Sequence, residues 1–182
     1  MAMSTTLFAV TQEVIDRLKS EPSAILQLES KEVYSTYLWT TIPYFLNDAD
    51  DEGDDEGDDD DDDGDDDDDD DDLSHPLANV LSGTSSVECE NLECGAFYVF
   101  DPSDVETLSK LLAAVKPSDI KKRILDAELE EVYDGEVWEE LEQQDLSEPE
   151  EVAKEVLDDV KRLKAFYADA VKNKRGLVGY TT

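Results

Sequence analysis

The sequence predicts an α+β fold: a small β-sheet packed by several helices, with a disordered acidic loop inserted. Three observations carry this. Short runs rich in β-branched and aromatic residues stand near positions 5–10, 95–100 and 177–181. Between them lie segments whose apolar residues recur every three or four positions, as on one face of a helix. Residues 48–72 read DADDEGDDEGDDDDDDGDDDDDDDD, which is 21 carboxylates in 25 residues with no apolar side chain larger than alanine. Such a run cannot bury enough surface to offset the entropy of ordering itself.

In chain order, TTLFAV at 5–10 is a strand, and Thr11 can cap a helix over 12–19 with Val14, Ile15 and Leu18 on one face. Pro22 opens a second short helix carrying Ile25, Leu26 and Leu28. From 33 to 46, Tyr34, Leu38, Ile42 and Phe45 recur at helical spacing. Pro43 inside that pattern requires either a kink or a helix that begins near Trp39. Beyond the acidic run, Pro76 opens a short helix through Leu81, Gly83 stops it, and 84–93 reads as loop.

The segment GAFYVF at 95–100 is the strongest strand signal. Asp101-Pro102-Ser103-Asp104 resembles a capping box, and the helix it opens carries Val105, Leu108, Leu111, Leu112 and Val115. An amphipathic segment follows over 118–125, and 133–138 around Gly135 reads as a turn. Ser147-Glu148-Pro149-Glu150 is a second capping-box pattern, starting the longest helix, to about 173. Lys172, Lys174 and Arg175 oppose its C-terminal dipole, Gly176 can terminate it, and 177–181 is the last strand. The whole, 1–182, is expected to form one domain interrupted by 48–72; no pattern encodes the strand order.

The formal charge of −35 is concentrated rather than uniform. Outside 48–72 there remain 29 acids and 15 bases, a balance of −14. A chain so acidic is expected to avoid nucleic acid and anionic membranes, leaving a basic protein partner or simple solvation. No apolar run reaches the ~20 residues of a membrane span. The N-terminus lacks a signal-peptide pattern, and two cysteines are too few for a disulfide framework. A cytoplasmic location is expected.

No catalytic, cofactor-binding or metal site is legible. Asp59-x-Asp61-x-Asp63-Gly64 begins like a calcium loop, but an acid stands at the usually apolar eighth position, and the match is expected by accident among so many aspartates. Loose divalent counterions on the tract are the most this predicts. Cys89 and Cys94, with one distant histidine at position 75, fall short of a sulfur-type metal set and read as incidental thiols. Two candidate regions remain. Trp39, Tyr44, Tyr133 and Trp138 are aromatics that either line a ligand cleft or fill core. Glu130, Glu131, Asp134, Glu136, Glu139 and Glu140 lie in a base-free stretch with apolar anchors, which reads as a docking surface or a solvated acidic face.

The ordered landmarks also resemble a family. They are Trp39 followed by Ile42, Tyr44, Phe45 and Leu46, then PLANVLSG at 76–83, GAFYVFDPSDV at 95–105, Tyr133 with Trp138, and a helix ending KAFYADAVKNKRGLV. Together they resemble the YfbM-like proteins, a bacterial domain of unknown function (1877). The resemblance implies the fold and a short connection in place of 48–72, but no activity. Histidines that the family carries just after the tryptophan are replaced here by Thr40, Thr41 and Pro43.

The leading expectation is therefore a non-enzymatic, soluble interaction domain whose acidic loop steers basic partners. The alternatives are an enzyme of unrecognised type with a cleft near Trp39, Tyr133 and Trp138, or a DNA-mimicking acidic protein.

Overall fold

The computed structural model describes residues 3–47, 76–127 and 135–182. The acidic run and His75 lie outside these residues. Five strands form one antiparallel sheet: β1 (Thr5–Val10), β2 (Val33–Thr36), β3 (Ser85–Glu88), β4 (Ala96–Phe100) and β5 (Gly176–Thr181), in the order β2-β1-β5-β4-β3. The three strands read from sequence are its centre. The two that were not, β2 and β3, are its edges. Each has four residues: β2 alternates between exposed and buried positions but is too short to stand out, and β3 is largely exposed. Tyr34 belongs to β2 rather than to a helix, and its spacing from Leu38 and Ile42 is coincidental.

The helices are α1 (Gln12–Ser20), α2 (Thr41–Asn47), α3 (Pro102–Ala114), α4 (Pro117–Asp126), α5 (Gly135–Gln143) and α6 (Pro149–Lys172). They divide between the two faces of the sheet, as alternation along β1 requires. Leu7 and Ala9 point to one face, into a core shared with α2 to α6. Val10, Phe97, Val99 and Val178 point to the other, under α1 and a 3-10 turn at Pro22–Gln27. In that turn Ile25 is buried and Leu26 is 59 % exposed, because the tighter 3-10 geometry puts only one of them inward.

Helix termini explain most boundaries. Pro43 falls in the first turn of α2, where its missing N–H costs no hydrogen bond, so the helix starts after Trp39 without a kink. Asp101 and Asp104 form the expected capping box, the Asp104 carboxylate accepting from the Asp101 amide at 3.3 Å. The second pattern does not form a box: Glu148 is the N-cap of α6 and its side chain makes no cap bond. Nor does Gly176 end that helix. Lys174 takes a left-handed φ of 52°, and the amides of Lys174 and Arg175 close on the carbonyls of Val171 and Ala170, a Schellman turn that leaves Gly176 to begin β5. The same closure at Asp145, φ 56°, ends α5, which replaces the turn read at 133–138. Gly83, with φ 72°, does stop the Pro76–Asn79 turn as expected; a Cβ there would press on Tyr98 Cβ at 3.1 Å.

Helix α2, which ends at Asn47, packs against the Pro76–Asn79 turn, so the two points where 48–75 leaves and rejoins the fold belong to adjoining elements. Closing a loop of roughly 30 rather than roughly 5 residues costs only about 1.6 kcal/mol. Deleting residues 50–71 is accordingly expected to leave one sharp thermal transition, at or slightly above the parent temperature. A broad or missing transition in calorimetry would make the tract part of the fold.

Candidate functional site

The α2 side of the sheet holds an open cleft of about 270 Å³. Trp39, Pro43 and Tyr44 form one wall, and Ala78, Leu81 and Ser82 the other. Its floor is the sheet itself, through Tyr98 and the paired threonines Thr5 and Thr181, whose hydroxyls meet at 2.9 Å. Thr40 and Asn47 complete the rim. No charged side chain lines this cleft among the described residues. The Asn47 Oδ1 is buried and has no hydrogen-bond partner among them.

The Trp39 wall is held from behind by Glu140, reaching from α5. One carboxylate oxygen accepts the amides of Trp39 (2.9 Å) and Thr40 (3.3 Å). The other accepts the Thr41 amide at 2.9 Å and the hydroxyls of Thr40 and Thr41 at 2.9 and 2.5 Å. The hydroxyl of Thr40, the residue before α2, is turned to Glu140, so the amides at the head of the helix take the carboxylate as their acceptor, and a buried anion also suits the positive end of its dipole. Glu140 is 8 % exposed and belongs to the interior, which removes it from the docking surface read in the sequence.

A second open cleft, of about 420 Å³, lies beside β2 around Asp159 and Arg162. Its charges are already committed. Asp159, 7 % exposed, accepts the Thr36 hydroxyl at 2.5 Å and pairs with Arg162. Arg162 also donates to the Ser35 carbonyl at 2.9 Å and lies over the Tyr34 ring, 5.4 Å from its centroid. The cluster clamps α6 to the edge strand. Burial first, then the Asp159 carboxylate, push the Tyr34 phenol well above its usual range, with Thr36 and Arg162 pulling the other way. The Tyr34 hydroxyl feels the Thr36 side chain, but no partner lies within hydrogen-bonding distance of it among the described residues.

Of the predicted aromatics, the structure brings Trp39 and Tyr44 together, each packed on the core and each lining the cleft. Trp138 packs on the same core and does not line the cleft. Tyr133 lies outside the described residues, as do Glu130, Glu131 and Asp134. Glu136 falls in the first turn of α5, where its side chain is not described, and Glu139 is exposed on that helix. Cys89 is buried and Cys94 exposed, both free thiols. No three metal-ligating side chains cluster among the described residues. No helix among them is long and apolar enough to cross a membrane.

Sequence reasoning missed Thr5, Thr181, Tyr98 and Asn47. Tyr98 carried a usable signal, since it alternates with buried Phe97 and Val99 and must therefore face the helices of the opposite side. The threonines carried none.

Comparison with known families matches residues 1–180 to a domain of unknown function, DUF1877. Among solved structures, the crystal structure of a protein of unknown function, YfbM from Escherichia coli, superposes with a TM-score of 0.59 at 12 % identity, covering 98 % of this chain and 99 % of that one. At that identity the likeness establishes the fold. A comparison with curated proteins gives no match.

Proposed function

This chain belongs to the DUF1877 family, and from that premise we propose that it is a non-enzymatic cytoplasmic interaction domain for a basic protein partner. The observation that supports this is where the acidic run joins the fold. Its 21 carboxylates are strung between Asn47 and Pro76, and both flanking elements wall the aromatic cleft. So much like charge raises the local concentration and encounter rate of a cationic partner, an effect that salt screens. The described lining of the cleft offers hydroxyls, an amide and aromatic rings, but no carboxylate, imidazole or thiol. That set holds a ligand better than it moves the ligand's protons. Divalent cations would gather on the tract only as counterions.

An affinity pull-down with the whole chain and with residues 50–71 deleted tests the reading. Proteins of high isoelectric point are expected among those retained by the whole chain at low salt, and are expected to be lost on deletion. Identical partner sets would remove the steering role.

A further inference from the structure

We infer that the cleft between α2 and the Pro76–Asn79 turn seats a lysine or arginine side chain of that basic polypeptide. The inference rests on the reading above and adds where on the fold the partner's cation sits.

Covalent geometry ties the first residue of the tract to the rim of the cleft. Asp48 follows Asn47, a rim residue, and consecutive Cα atoms are about 3.8 Å apart. Asp72 precedes Pro76 by four residues, so its Cα stays within about 14 Å of the residue that opens the Pro76–Asn79 turn. The tract is therefore joined to the fold at both ends by elements that also carry the cleft.

The lining selects the same chemistry. Trp39, Tyr44 and Tyr98 contribute three aromatic rings to one cavity with no basic side chain in its described lining. The negative faces of such rings attract ammonium and guanidinium groups. Asn47, whose amide offers both an acceptor and donors, stands on the rim. An anionic occupant would meet the charge of the tract with no basic side chain in the described lining to hold it.

The test uses the whole chain and fluorescein-labelled oligolysine, with N-acetylated oligolysine of equal length as the uncharged control. Anisotropy titrations compare the parent, the 50–71 deletion, Tyr98→Leu, and Ala78→Trp, which fills the cleft from the opposite wall. Oligolysine, and not the control, is expected to bind and to shift the parent's tryptophan emission. Each cleft variant is expected to bind about three- to tenfold more weakly, with its salt dependence kept. The deletion is expected to flatten the salt dependence. If the deletion weakens binding while both folded cleft variants bind like the parent and the emission is unmoved, the cleft inference is wrong and the steering reading stands. If the deletion changes nothing while the cleft variants weaken binding, the steering reading fails alone. Equal binding of the acetylated control overturns the inference outright.

Discussion

Replacing Glu140 with alanine is expected to cost about 3–5 kcal/mol of folding stability, near the upper end for a single substitution. One side chain accepts five hydrogen bonds, three from main-chain amides at the start of α2. The hydroxyls of Thr40 and Thr41 can turn to other acceptors, whereas amides fixed at the head of a helix cannot. Hydrogen bonds to a charged acceptor contribute about 1.5–3 kcal/mol each, and donors left buried and unpaired add their own desolvation cost. For a chain of this size the melting temperature should fall by roughly 10 °C. Glu140→Gln should lose about half as much, since its carbonyl can serve one set of donors while its amide opposes the other. Because Trp39 lies on the cleft wall that Glu140 holds, tryptophan emission should change with the stability. An alanine variant within about 0.5 kcal/mol of the parent in urea titration would refute this account of α2.

The second large effect is expected in alkali. Tyr167, completely buried with its hydroxyl donating to the Val80 carbonyl at 2.7 Å, is held by burial well above the usual phenol range, and Tyr34 is raised with it. In the unfolded chain both phenols ionise near pH 10. A phenol whose folded value is raised gives stability that is complete below the unfolded value and lost as pH rises above it. Each tyrosine then removes about 1.4 kcal/mol per pH unit, and the two together about 2.7. Tyr34→Phe should halve that slope between about pH 10.5 and about pH 11.5, at little cost near neutrality because the lost hydroxyl has no partner among the described residues. Lys164, whose ammonium burial holds below its usual range, is common to both proteins and cancels in the comparison. An unchanged slope would mean that the Tyr34 phenol ionises within the folded state.

Much of this fold was legible wherever local pattern and tertiary role agree. The centre of the sheet is built from strands whose alternation is set by two buried faces, and α3 and α6 advertise their starts with proline and acid. What was misread depends on partners distant in the chain. β2 is a strand because β1 pairs with it, and its four residues cannot outvote the helical spacing that runs through Tyr34. Glu140 looked like one more surface acid because its donors lie about 100 residues earlier. The candidate site was half visible for the same reason. Trp39 and Tyr44 belong to one aromatic run, whereas Thr5, Tyr98 and Thr181 reach the cleft only through the order of the strands.

The pairing of β1 with β5 has a consequence for the timing of folding. Thr5 lies opposite Thr181, so the middle of the sheet is closed by a contact spanning 176 residues. Folding rates fall as such separations grow, because the loop must be closed before the contact can reward it. At about 5–20 residues per second on the ribosome, β1 waits roughly 10–35 s for its central neighbour. Until then its only available sheet partner is β2, and its other edge is unpaired. The 21 carboxylates of 48–72 are made early in that interval, so the growing chain carries a strong negative charge through the period when an open strand edge is most exposed to wrong partners.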